Sequence, residues 1–133
     1  MYDFNYHKPA SVADAVKLFG EVEDGMYLAG GHTLIPSMKQ RLAAPTDVID
    51  LAGISDLSGI DYGGTELVVG ALTCHEEVAT SPLVKSVCPA LCHLASGIGD
   101  AQVRSRGTIG GSVSNNDPAA DYPAAVLDTC RVV

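Results

Sequence analysis

Short apolar runs alternate with polar turns along the chain, and the spacing of the apolar positions changes from one run to the next. Residues 3–7 predict a short extended start. Ser11 lies three residues before Asp14, a capping-box variant that opens a helix. Val12, Ala15, Val16 and Phe19 give that helix an apolar face, and Gly20 is expected to close it. Met26, Tyr27, Leu28 and Ala29 have strand character, and Gly30, Gly31, His32 and Thr33 follow as a turn. A second helix opens near Leu34, with Pro36 in the first turn, where proline is tolerated. Leu34, Met38 and Leu42 line one face, Lys39 and Arg41 look outward, and Ala44, Pro45 and Thr46 break the helix. Residues 47–51 read as a strand. Helix, strand, helix, strand is the order of a small α/β unit with parallel strands.

The pattern changes past residue 53. Residues 57–62 and 66–72 flank Gly63 and Gly64 as a hairpin. Thr73 with Glu76 reads as a capping box for a short helix through Ala79. Residues 89–95 form a helix carrying Leu91, Leu94 and Ala95. Residues 107–116, rich in Gly, Ser and Asn, read as a polar loop. Asp117-Pro118 and Asp121-Tyr122-Pro123 offer overlapping helix starts. Pro123 would disrupt a helix begun at Asp117, so Asp121 is the expected N-cap of a helix to about Asp128. Residues 130–133 open an apolar strand, an ending that points to a truncated polypeptide. Two subdomains are expected, 1–52 and an incomplete 53–133.

With 133 residues, 47% of them apolar, the chain can bury a substantial core, which excludes disorder. It carries 8 basic against 16 acidic side chains, a net charge of −8, and no basic run. A nucleic-acid backbone as main partner is therefore excluded, because its binding depends on clustered Lys and Arg. A small phosphate held by backbone N–H groups is not. No apolar run approaches a membrane span, and the N-terminus lacks a secretory pattern, so the expected location is the cytoplasm. Cys74, Cys88, Cys92 and Cys130 include no CxxC spacing; they read as buried free thiols rather than zinc or iron–sulfur ligands. His75-Glu76-Glu77 is not H-E-x-x-H, and Ser114 has no His and Asp at recognisable spacing. No catalytic residue and no metal ligand is assigned, which suits a protein whose cofactor carries the chemistry.

Two glycine segments remain. The first, Ala29-Gly30-Gly31-His32-Thr33, stands between a strand and a helix, where paired glycines and free N–H groups can approach an anion. The second, Thr108-Ile109-Gly110-Gly111-Ser112, runs on to Asn116 and has the composition of an anion-binding nest. Each alone reads equally as an ordinary turn. Together, in different halves of a small chain, they fit a dinucleotide gripped between two subdomains. Arg104, just before the second segment, reads either as a brace for its carbonyls or as a surface residue.

These segments, with Pro36, Gln102-Val103-Arg104 and Asn116-Asp117-Pro118-Ala119-Ala120-Asp121 in the same order, resemble the FAD-binding medium subunits of molybdenum hydroxylases, of the carbon monoxide and xanthine dehydrogenase type. The resemblance covers essentially the whole chain. It implies an α+β fold of the vanillyl-alcohol-oxidase or p-cresol-methylhydroxylase (PCMH) type, with a small α/β subdomain followed by a mixed, largely antiparallel one. It implies FAD as cofactor, with Ala29, Gly30, Gly31, His32 and Thr33 at its pyrophosphate. It adds Thr108, Ile109, Gly110, Gly111, Ser112 and the acidic Asp121 to the FAD site. Ser112 stands where the family often has Asn. The implied partners are a molybdopterin-containing large subunit and a [2Fe–2S] small subunit. Electrons would pass through FAD to an external acceptor, a peripheral membrane one included. Two other readings stay open: a stand-alone flavoprotein oxidoreductase, and a docking domain that binds no flavin. Members of the family are considerably longer, so this chain alone is expected to be inactive.

Overall fold

In the computed structural model, which describes residues 1–123, Ala125, Arg131 and Val132, the chain forms two units, Met1–Ser55 and Asp56–Val133. The first unit holds strands β1 (Asn5–His7), β2 (Gly25–Leu28) and β3 (Asp47–Asp50) in the order β1-β3-β2, all parallel. All four residues of the central β3 are buried, as expected of a strand inside a parallel sheet. The crossovers carry α1 (Val12–Glu21) and α2 (Leu34–Lys39). Ser11 caps α1, its hydroxyl accepting the Asp14 N–H at 3.1 Å. Ala15, Met38, Val48, Ile49 and Ile54 are the buried apolar residues of this unit.

Three expectations for this unit need correction. Gly20 does not end α1; the helix continues to Glu21 and closes with the Val22 N–H on the Leu18 carbonyl at 3.2 Å. Gly20 has no positive φ, so nothing there forces a stop. Of the apolar face, only Ala15 is buried, while Val12, Val16 and Phe19 stay exposed. Contact with β2 runs through Phe19, stacked on Tyr27 at 4.7 Å, and through the Tyr27 hydroxyl, which donates to the Ala15 carbonyl at 3.3 Å. Finally, α2 ends at Lys39 because Arg41 turns left-handed at φ 60°, which throws Leu42 off the helix to 78% exposure.

The second unit begins with the antiparallel hairpin β4 (Ile60–Tyr62) and β5 (Leu67–Val69), register Ile60 to Val69. Helices α3 (His75–Thr80), α4 (Pro82–Val87), α5 (Pro89–Ser96), α6 (Ala101–Arg106) and α7 (Ile109–Asn115) follow. A two-residue β6 (Arg131–Val132) then pairs parallel with β5. Val69, Val78, Val84, Leu91, Ala95, Ile109 and Tyr122 form the core.

The capping box stands one residue later than expected. Cys74 is the N-cap, its N–H donating to Glu77 Oε2 at 2.9 Å. Thr73 is fully buried, its hydroxyl 3.0 Å from both the N–H and the carbonyl of Gly59, so it is committed to the hairpin. α4 and α6 were not expected; Ser81 and Asp100 cap them through Val84 N–H (3.2 Å) and Val103 N–H (2.9 Å). Asp117 accepts the Ala119 N–H at 2.9 Å in a local turn, and Tyr122 and Pro123 are helical. Ala125 is helical as well, and the other residues of the helix expected to Asp128, like Cys130, lie outside the described residues. Cys74, Cys88 and Cys92 are free but half-buried rather than fully buried. Cys92 Sγ donates to the Ala79 carbonyl at 2.9 Å. Among the described residues no helix is long and apolar enough to cross a membrane, and no His/Cys/Asp/Glu group could hold a metal ion.

Candidate functional site

Ala29, Gly30, Gly31, His32 and Thr33 lead from the carboxyl end of β2 into α2. Gly31 has φ +79°, a conformation only glycine adopts freely, and a Cβ there would stand 2.7 Å from Ile35 Cδ1. The Gly31 and Thr33 carbonyls accept from Ile35 N–H (3.1 Å) and Ser37 N–H (3.2 Å), which anchors the turn to the helix. Among the described residues, the N–H groups of Gly30, Gly31, His32 and Thr33 donate to no protein acceptor. Thr33 is the N-cap, yet its hydroxyl makes no capping bond. His32 and Thr33 are exposed. Open donors on a glycine turn suit an anion such as a diphosphate.

The neighbouring carboxylate is already engaged. Asp50, opposite Leu28 in the β2–β3 register, accepts the Ala52 N–H at 2.9 Å on one oxygen and the Tyr6 hydroxyl on the other. That bond holds the Tyr6 phenol above its ordinary pKa. At the other end of β3, Asp47 lies 2.7 Å from His7 Nε2, and this bond, with one from Thr46, holds its carboxyl below the ordinary range. His7 is thus a partner of β3.

Thr108, Ile109, Gly110, Gly111 and Ser112 form the N-cap and first turn of α7, not an open nest. Their N–H groups are used internally: Ile109 to Thr73 O (3.1 Å), Gly110 to Ala71 O (2.9 Å), Gly111 to Thr108 Oγ1 (3.1 Å) and Ser112 to Thr108 O (3.0 Å). A Cβ on Gly110 would stand 2.6 Å from both Cβ and O of Ala71, so glycine permits the close approach. Thr108 and Ile109 are buried, whereas Gly110, Gly111 and Ser112 keep part of their surface.

Arg104 does not brace this segment. Its Nε donates to Glu76 Oε2 at 2.9 Å and a terminal nitrogen to the Ile98 carbonyl at 3.3 Å, tying α6 to α3 and to the turn before it. Glu76, expected as the acid of a capping box with Thr73, is therefore an ion-pair partner of Arg104 instead. Gln102 is exposed on α6, and Asp121 is exposed beside the fully buried Tyr122. Tyr122 meets the buried His75 with ring centroids 5.2 Å apart and a 30° tilt. A Cβ on Gly107 would also reach the His75 ring at 2.8 Å. No sequence spacing marks His75, Gly107 and Tyr122 as neighbours, because they come from three separate segments.

The description "FAD binding domain in molybdopterin dehydrogenase" matches residues 2–129. The carbon monoxide dehydrogenase medium chain of Hydrogenophaga pseudoflava is 45% identical over 91% of this chain and 42% of its own. That of Afipia carboxidovorans is 46% identical over the same shares. A solved carbon monoxide dehydrogenase from Hydrogenophaga pseudoflava, lacking the Mo-pyranopterin moiety of its molybdenum cofactor, superimposes with a TM-score of 0.92 at 45% identity. It covers 93% of this chain and 44% of that one. The chain thus spans less than half the length of the relatives it matches.

Proposed function

Because the chain belongs to the family of FAD-binding domains of molybdopterin dehydrogenases, with their α+β fold, we propose that it holds the flavin of an electron-transfer subunit. FAD, the cofactor expected from the sequence, is the one named in the family's description. The observation that carries the reading is the first glycine turn, with four open N–H groups beside an exposed threonine hydroxyl. Ala29, Gly30, Gly31, His32 and Thr33 would bind the diphosphate through the backbone. Gly110, Gly111 and Ser112 would offer close-approach surface and a hydroxyl, while Thr108 and Ile109 hold that turn in shape. Asp121 would accept a hydrogen bond from the cofactor. When bound, FAD supplies the redox chemistry, accepting electrons from a donor and passing them to an acceptor. No acid or base from the chain is then required.

The medium-chain names of the relatives support partners of the same plan: a molybdopterin-containing large subunit and a [2Fe–2S] small subunit. Electrons would enter from the iron–sulfur clusters and leave to an external acceptor. The test is the visible spectrum of the intact protein purified with its partner subunits. Flavin bands lost on exchanging Gly30 and Gly111 together for Val are the expected result. A wild-type complex that assembles without flavin would sink the reading and favour a docking domain.

A further inference from the structure

We infer that His75 is a positioning residue for the flavin site, setting the spacing between the second glycine turn and Asp121. This rests on the FAD reading above. Residues 71–75 lie along the approach to α7: Gly110 and Ile109 donate to Ala71 and Thr73, Thr108 forms a bridge with Cys74, and His75 N–H donates to the Gly107 carbonyl at 2.9 Å. His75 is the last residue of this seam, and its side chain turns from backbone pairing to ring packing. One part of the imidazole, Cδ2 and Nε2, occupies the space a Cβ on Gly107 would need, at 2.8 Å from where it would stand. Tyr122 packs against the ring as well, 5.2 Å between centroids.

Both supports are firm. Gly107 N–H donates to the Val103 carbonyl at 2.7 Å, and Tyr122 is fully buried in the core. Gly107 leads directly into Thr108, and Tyr122 directly follows Asp121. The imidazole is therefore a spacer between the flanks of two proposed cofactor contacts. Gly107 is glycine for the same reason, since a Cβ would press on the ring at 2.8 Å and on the Val103 carbonyl at 3.0 Å.

The experiment measures FAD affinity by flavin fluorescence quenching on the intact protein, well below each variant's melting temperature, for wild type, His75→Ala, His75→Phe and Gly107→Ala. A spacer role predicts that His75→Ala weakens FAD at least about tenfold, whereas His75→Phe, which keeps a ring, stays within about threefold of wild type. A role in stability alone would lower both melting temperatures without separating the two affinities. Phe binding no better than Ala, or Ala binding like wild type, overturns the inference. If His75→Ala does not fold, Gly107→Ala carries the test at the ring's contact with Gly107. It is expected to weaken FAD, and wild-type affinity there overturns the inference. If the wild-type protein itself binds no FAD, the flavin reading falls and this inference with it; loss confined to the His75 variants leaves that reading intact.

Discussion

At the residue scale, one glycine and one carboxylate show how local chemistry is set. Gly31 occupies a left-handed conformation, and a Cβ there would stand 2.7 Å from Ile35 Cδ1, so any substitution is strained and forces Ile35 to shift. Asp47 is held ionised by the bond from His7 and the one from Thr46. Its pKa is lower in the folded chain than in the unfolded one. Its contribution to stability is therefore fully present above the unfolded carboxylate range and lost as pH falls through the lowered folded value. Chemical denaturation between pH 3 and 7 should show the loss in wild type. In Asp47→Asn that pH-dependent part should vanish, leaving a flatter acid limb and lower stability at pH 7. An unchanged acid limb would show that other carboxylates dominate.

At the element scale, caps decide where helices begin. Ser11, Ser81, Asp100 and Thr108 each accept an N–H three residues on. Replacing Ser11 by Ala removes that bond and should cost about 1 kcal/mol of stability, read from the urea midpoint at unchanged slope. FAD affinity should not change, because no α1 residue is among the proposed cofactor contacts. The second glycine segment shows a competing rule. Its composition reads as a loop, but Thr108 caps it into a helix and Gly110 lets that helix approach Ala71. Composition identifies a place where backbone comes close; it does not say whether the neighbour is a ligand or the protein itself.

At the scale of the whole molecule, charge is the relevant quantity. The net charge of −8 opposes an anionic dinucleotide, and the proposed diphosphate contacts are backbone N–H groups rather than Lys or Arg. Screening by salt weakens the overall repulsion while leaving short N–H contacts almost untouched. FAD affinity should hold steady or rise as ionic strength goes from about 0.01 to 0.15 M, across which the Debye length falls from about 30 to 8 Å. Titration at the two salt levels checks this. A clear fall would mean that basic side chains grip the cofactor.

The sequence by itself determined what depends on neighbours along the chain. The Ser11 cap, the Asp47 strand, the hairpin around Gly63 and Gly64 and the first glycine turn follow from residues within a few positions of one another. So does the ordered set of motifs that shows the family. Tertiary structure decided what depends on residues far apart. It moved the capping box to Cys74 because Thr73 is drawn to Gly59, sent Arg104 to Glu76 rather than to the glycine segment, and closed that segment's N–H groups on Ala71, Thr73 and Thr108. It also left Val12, Val16 and Phe19 exposed on a face that periodicity marks as buried. The physical reason is the same throughout: a backbone donor or an apolar face takes the nearest partner in space, and periodicity along the chain does not say which residue that will be.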